Sequence, residues 1–413
     1  MNLKDKKVVI VGSGMAGLAS ALFLKRLGAE VSLYDQFEQP QALGAGLLLQ
    51  PVGQWVLAQL NLLDKVRETS SRIDRLRGCA NSGTKILDLM YEDYFSGAHA
   101  LGVHRGQLFN SLLSQARNDG IELFTSASVS SLNNRAAGYS LEFESRDSVT
   151  ADLVIIANGA FSNLRDSLAI PFKASLYPWG ALWSIFDDKE QIFTHCLEQV
   201  YDRAHTMIGM LPSGINPQTQ NKCVSFFWSL PGEAYDAWRS TPISKWKAQV
   251  LNHWPAIEPF MESIQSHDDL VFSRYMDVRF QSLHDKNAVI VGDAGHAMSP
   301  QLGQGVNLAL LDAWRLFESF EKAPSIRQAL EIYQTDRQKQ LAYYQSVSST
   351  ITPFYQSHSR ILGWIRDAIT PFSCWFPVFK AINLNILMGN ARSMWGKNEL
   401  DRTALKSVLS KSE

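Results

Sequence analysis

The residues that decide the fold are Lys7-Val8-Val9-Ile10-Val11, followed at once by Gly12-Ser13-Gly14-Met15-Ala16-Gly17. The first five read as a short strand buried on both faces. Residues 18–27 carry apolar side chains at helical spacing, and Gly28 ends the helix. Residues 31–34 are a second strand, with Asp35 at its end. Strand, glycine turn, helix, strand and then an acid about 20 residues past the turn is the pattern of a dinucleotide-binding βαβ unit. Gly12 permits the tight turn, Gly14 lets the backbone approach a pyrophosphate, and Gly17 lets the helix pack closely on the strand. The helix start offers unpaired N–H groups and a partial positive charge to phosphates. Asp35 can accept hydrogen bonds from a ribose diol. The plain alternative is an ordinary βαβ unit with a glycine-rich turn. These residues do not choose between FAD and NAD.

Outward from that unit, the chain's 413 residues are enough for a large core and two domains. Lys and Arg number 39 against 40 Asp and Glu, and the net charge of -1 argues against a nucleic-acid binder or a general anion trap. Cys79, Cys196, Cys223 and Cys374 are far apart and form no CxxC pair, which points to a reducing compartment, the cytoplasm. A short charged lead enters the first strand directly, without a signal-peptide pattern. The histidines show no metal-ligand spacing, so no metal is expected.

Residues 43–50, LGAGLLLQ, set two glycines before an apolar run that Pro51 ends. Such a loop brings backbone close to a flat ligand, or is simply a turn. Residues 52–66 read as one or two short helices, and 72–80 with 85–91 as paired strands. Residues 104–117 form a helix with Leu108, Phe109, Leu112, Leu113 and Ala116 on one face. Arg105 sits near its start, where a lone arginine is ordinarily a solvated charge. Strands follow at 121–124, 128–132, 139–144 and 149–157, the last leading into Asn158-Gly159-Ala160-Phe161-Ser162-Asn163-Leu164-Arg165.

Composition changes after Pro171. Residues 176–186 alternate, placing Tyr177, Trp179, Ala181, Trp183 and Ile185 on one face, and 205–211 and 223–229 extend an aromatic-faced antiparallel sheet. Most of these aromatics are expected in the core, and a few in a pocket for a flat apolar substrate. Residues 233–264 read as helices broken by prolines, and 273–280 as a return strand. A buried strand at 287–291 then leads into a second glycine loop, Gly292-Asp293 through Asn307, which opens an apolar helix at 308–320. Asp293 stands at a strand end, where such sheets bind polar ligands. The rest is helical. Its longest uncharged run, 368–379, is shorter than the roughly 20 residues that span a bilayer. This aromatic region is expected to cover the core, with a homodimer face or peripheral membrane contact as alternatives.

Three stretches, in this order, resemble the single-component FAD-dependent monooxygenases of the p-hydroxybenzoate hydroxylase family. They are GSGMAG with Asp35, residues 152–165, and Gly292 to Asn307, which follows the pattern GDAxHxxxPxxGxGxN. The resemblance covers residues 1–345. It implies an α/β fold: a Rossmann-like FAD-binding domain in two pieces, 1–170 and 273–345, an inserted antiparallel-sheet substrate domain at 171–272, and a helical C-terminal extension at 346–413. It implies that the turn Gly12, Ser13, Gly14, Met15, Ala16 and Gly17 holds the FAD pyrophosphate. Asp35 would bind the adenosine ribose, where the family more often has glutamate. Arg105 would reach the pyrophosphate, Val129 would meet the adenine through its backbone, and Asp293 would bind the ribityl chain. Pro300 would pack beside the isoalloxazine. Gly303, Gly305, Val306 and Asn307 would lie against its pyrimidine edge, and the 44–47 loop, with Gly46, near its other side. Asn158 would serve FAD and the pyridine nucleotide, but it replaces the family's usual aspartate and lacks its charge.

The implied activity is insertion of one oxygen atom from O2 into an aromatic or other apolar small molecule through a flavin hydroperoxide, with NADH or NADPH as reductant. The helix start near Gly303 would favour the negative charge of reduced flavin. An apolar pocket would keep water away. No catalytic side chain is assigned, and His296 reads as structural. Three other readings stay open. A flavin-dependent halogenase would carry a WxWxIP segment, which is absent. A flavin reductase or dehydrogenase of an isoprenoid-type substrate would keep the FAD motifs. A non-catalytic FAD-binding protein would account for Asn158.

Overall fold

The computed structural model describes residues 1–40, 46–135, 138–394, 396 and 398–409. Its first layer is a six-stranded sheet. Lys7–Val11 lies between Leu153–Ile156 and Glu30–Tyr34, with Ala288–Ile290 and Glu122–Phe124 outside them, all parallel. Only the edge pair His284–Asp285 with Ala288–Ile290 is antiparallel. The central strands are continuous apolar runs because both faces are covered. Helices Met15–Arg26 and Gly305–Lys322 pack against each other, Phe23 meeting Trp314 and Phe317 at ring separations of 5.5 and 5.3 Å. In register, Val11 stands opposite Ile156 and Tyr34, and Ile156 opposite Ile290. The loops that follow these strands therefore leave the sheet side by side.

The second layer is a nine-stranded sheet. Phe172–Asp187, His195–Asp202, Thr206–Ile215 and Lys222–Pro231 come from the interval 171–272, and Val271–Phe280 returns beside them. Gly46–Leu49, Ser71–Ala80, Lys85–Met90 and Ala100–His104 join from the first part of the chain. The interval 171–272 thus does not build its sheet alone. One pair, His195–Asp202 with Ser71–Ala80, is parallel within an otherwise antiparallel sheet. One face, with Leu182, Phe186, Phe226 and Trp228, is covered by Trp238, Trp246 and Phe260 of the helices that follow. Trp183, Phe227, Met207 and Tyr201 share a cluster with Tyr355 of the C-terminal region. The expected alternation survives a register shift between Leu176 and Gly180, where Pro178 cannot donate to the ladder.

Two local expectations change. Residues 149–157 are not one strand. Val149–Ala151 pairs with Gly138–Phe143 in a three-stranded sheet, and Leu153–Ile156 enters the parallel sheet. The break falls at Asp152, whose carboxylate accepts the Lys7 N–H at 2.9 Å. Residues 46–49 form a strand paired with Ala100–His104 rather than a loop. Gly44 and its neighbour at 45 lie outside the described residues.

The C-terminal helices Ile326–Ile351, Arg360–Trp375, Pro377–Leu387 and Arg402–Leu409 close over this frame. Leu384, Leu387, Met388, Leu405 and Leu409 belong to the main core. On helix Arg360–Trp375, Trp364 is 73% and Trp375 78% exposed. Among the described residues no helix is long and apolar enough to cross a membrane. All four cysteines are free thiols.

Candidate active site

The glycine turn at 12–17 and the loop from Gly292 to Asn307, the first and third of the three stretches and hence the first and third glycine loops, touch. A Cβ on Gly292 would lie 2.9 Å from the Ala16 Cβ. Within the first turn the glycines divide into two kinds. A Cβ on Gly17 would sit 2.0 Å from the Gly12 carbonyl oxygen, so that glycine is a packing requirement. Gly14 has only the Ala157 carbonyl, at 4.0 Å, and Gly159 has nothing within 4 Å. Gly303 and Gly305 are similarly open, with nearest atoms at 4.0 and 3.9 Å. Helix Met15–Arg26 makes its first internal bond from Leu18 N–H to Gly14. The N–H groups of Met15, Ala16 and Gly17 precede that bond and have no helical acceptor. Open backbone and unpaired donors on adjoining turns are what an elongated, phosphate-bearing cofactor requires, so FAD fits the residues present.

Asp35 is buried at the end of Glu30–Tyr34. It accepts the Ser13 N–H at 2.8 Å, the Ser13 hydroxyl at 2.5 Å and the Phe37 N–H at 3.0 Å. Its carboxylate braces the glycine turn as well as ending the strand. Asn158 donates to the Asn163 side-chain oxygen at 3.1 Å, and Asn163 donates to the Val129 carbonyl at 3.0 Å. The Asn158 side-chain oxygen is buried without a partner, a polar atom waiting for a donor. Arg165 is buried and donates to the carbonyls of Ala294 at 2.9 Å and Ala160 at 2.6 Å. Burial lowers its guanidinium from the usual range, opposed by Asp166 and Asp293. It ties the middle loop to the third.

The third loop hangs on a buried charge cluster. Asp312 accepts from the Gly292 N–H at 2.8 Å, lies 2.5 Å from His296 Nε2, and accepts from Arg337 Nε at 2.7 Å. Burial alone would raise its carboxyl, but the charges of His296 and Arg337 and the bonds to it hold it down at about 2. Asn307 is also fully engaged. Its amide donates to the carbonyls of Leu48 and Gly303, and its oxygen accepts the Gln50 N–H at 2.8 Å. It clamps strand Gly46–Leu49 to the loop. Gly46 has no room for a side chain, since a Cβ would lie 2.0 Å from the Ser213 hydroxyl. Asp293 and Pro300 are exposed, and Val306 is half-buried.

Arg105 begins helix Arg105–Asn118, whose Gly106 N–H is capped by His104 Nδ1 at 3.1 Å. It is exposed and makes no hydrogen bond or ion pair among the described residues. Gly46 stands opposite His104 in register, so Arg105 follows directly on the strand beside the Gly46 loop. The sequence reading did not single out Asn163, Arg165, Asp312 or Arg337 as site residues. Asp312 carried a signal, an acid inside the apolar run Leu308-Ala309-Leu310-Leu311. Arg337, on an amphipathic helix, carried none.

Glycine turns meeting at the ends of parallel strands, beside a broad second sheet, define a flavoprotein architecture. The chain belongs to the FAD binding domain family, whose model matches residues 5–342, and it is a FAD-dependent oxidoreductase of the p-hydroxybenzoate hydroxylase-like monooxygenases. It is 23% identical to 6-hydroxynicotinate 3-monooxygenase of Bordetella bronchiseptica, over 89% of this chain and 94% of that one. It is 24% identical to the FAD-dependent urate hydroxylase of Klebsiella pneumoniae, over 80% and 85%. The fold is shared with Klebsiella pneumoniae HpxO complexed with FAD and uric acid, at TM-score 0.78, 18% identity, and coverage of 94% and 98%.

Proposed function

We propose that the enzyme inserts one atom of O2 into a small planar aromatic substrate, with NADH or NADPH as the reductant. The observation that carries this reading is the contact between the Ala16 and Gly292 turns, which gives one cofactor two glycine loops at once. Relatives named for 6-hydroxynicotinate and urate support a flat, heteroatom-bearing substrate. FAD, when bound, supplies the oxygen-transfer chemistry, and the protein supplies position and charge.

In this reading the N–H groups of Met15, Ala16 and Gly17 bind the pyrophosphate, with Arg105 closing on it from the neighbouring helix start. Asp35 and the Val129 backbone hold the adenosine end. Asp293 takes the ribityl hydroxyls. The start of helix Gly305–Lys322 directs its free N–H groups, those of Gly305 and Val306 among them, toward the pyrimidine edge and favours negative charge there. Pro300 flanks the ring, and Asn307 acts by fixing Gly303 and Leu48 around it. Asn158 offers its unpaired oxygen to the cofactor side. No side chain need be a nucleophile.

O2 consumption by the purified yellow protein tests the reading, with NADH or NADPH and a panel of hydroxylated pyridines and purines. Substrate-dependent O2 uptake with an oxygenated product is expected. Flavin reduction by the substrate itself, without NADH or NADPH and without an oxygenated product, would establish a dehydrogenase instead. Free thiols at all four cysteines support a cytoplasmic setting. The exposed face around Trp364 and Trp375 is proposed as a contact surface, for a lipid interface or a second copy of the chain. Vesicle cosedimentation and analytical ultracentrifugation of Trp364→Ser/Trp375→Ser separate the two.

A further inference from the structure

A cavity of about 590 Å³ opens at one end of the large sheet. It lies between strand Phe172–Asp187 at its bulge, Arg274 of Val271–Phe280, and the turn at 353–358. None of its lining residues belongs to the three glycine loops. Tyr177, Pro178, Trp179 and Pro353 give it flat, apolar walls. Its volume falls within the range of small-molecule sites, roughly 300–1,000 Å³.

The polar groups at this cavity are unbalanced. Gln356 is 3% exposed, and neither its amide nitrogen nor its amide oxygen has a hydrogen-bond partner. The Trp179 indole N–H is buried and unpaired as well. Arg274 packs beside Gly232 and makes no hydrogen bond or ion pair among the described residues. The acid at the rim, Glu233, is engaged with His358 at 3.2 Å rather than with Arg274. Unpaired donors therefore outnumber unpaired acceptors, and Arg274 is a charged lining side chain with no hydrogen-bond or ion-pair partner among the described residues. Buried polar groups without partners are uncommon in folded proteins and call for an explanation.

We propose that this cavity binds a planar organic anion. Its ring lies against Trp179 and the two prolines and its anionic oxygens meet Arg274, while the Trp179 N–H and the Gln356 amide, sealed from solvent in the unliganded protein, turn toward the cavity to pair with its polar edge. Hydrogen bonds tie the wall of the cavity to the third glycine loop. Gln356 N–H bonds the Thr352 carbonyl at 2.8 Å, and the Thr352 hydroxyl lies 2.6 Å from that of Ser299, next to Pro300. In the monooxygenase reading the cavity is a staging position for the substrate. That role rests on the monooxygenase reading, whereas binding itself does not.

Calorimetric titration of the flavin-loaded protein with naphthalene-2-carboxylate, and with its neutral carboxamide, tests the proposal. The carboxylate is expected to bind about tenfold more tightly than the amide. Arg274→Gln, an exposed position, should abolish that preference and leave amide binding unchanged. Gln356→Leu should weaken both ligands about fivefold. Equal binding of the two probes by the unaltered protein, or an Arg274→Gln variant that keeps the preference, would overturn it. Loss of turnover with the preference intact would count against the monooxygenase reading alone.

Discussion

Asp312 has no solvent exposure, and it holds the third glycine loop through Gly292 and His296 while neutralising the fully buried Arg337. Removing one partner leaves a buried charge uncompensated, at a cost of about 3–5 kcal/mol. Arg337→Met should therefore lower stability by about 3 kcal/mol in urea unfolding. Asp312→Asn/Arg337→Met should lose clearly less than the sum of the single changes. With its carboxyl held near 2, below the unfolded value, Asp312 adds stability that is complete above about pH 4 and lost as pH falls toward 2. Asn158 supports a second expectation. Restoring the family's acid by Asn158→Asp removes the donor to Asn163 and sets two acceptor oxygens against each other. The variant should melt earlier, by about 1–2 kcal/mol. A melting temperature equal to that of the unaltered protein would show that the Asn158–Asn163 bond contributes nothing.

Helix Arg105–Asn118 shows how an element sets one side chain of the site. His104 caps its start only while Nδ1 is unprotonated, and burial lowers that imidazole from its ordinary value. A lowered histidine contributes stability that is fully present above about 6.5 and lost as pH falls below it. His104→Asn should keep the cap and flatten this pH dependence, while His104→Ala should cost about 1 kcal/mol at neutral pH. Thermal melts between pH 5 and 8 check both. At this scale the chain was legible wherever structure is local. Residues 7–35 announce themselves because continuous Val and Ile, helical spacing and a turn lie within one unit. The split of 149–157 at Asp152 was not legible, because an apolar run does not state which sheet each half joins. The parallel pairing of His195–Asp202 with Ser71–Ala80, more than a hundred residues apart, is likewise a choice made in three dimensions. Glycines of the site could be found because their geometry restricts the residue type. The Asn307 clamp and the Arg165 tether act through backbone carbonyls, which leave no mark in sequence.

Across the whole molecule, the C-terminal helices divide between residues packed against the site's framework and residues exposed to solvent. Gln304, inside the third glycine loop, donates to the carbonyls of Ile386 and Leu387 at 3.2 and 2.8 Å. Val52 N–H reaches the Met388 carbonyl, and the Tyr344 hydroxyl bonds Ile386. The chain past residue 376 is therefore part of the wall behind the Gly303 loop. Leu387 packs in the main core, whereas Trp375 is 78% exposed. Leu387→Ala should lose about 2–4 kcal/mol, the ordinary cost of a buried leucine truncated in place. It should also release flavin more readily, because the carbonyls that hold Gln304 move with that turn. Trp375→Ser should stay within about 0.5 kcal/mol and keep its flavin. Chemical denaturation and the free-flavin fraction after gel filtration read both quantities on the same samples. If Leu387→Ala lost stability but kept flavin as tightly as the unaltered protein, the C-terminal cover would be a matter of core volume alone, with no hold on the cofactor loop.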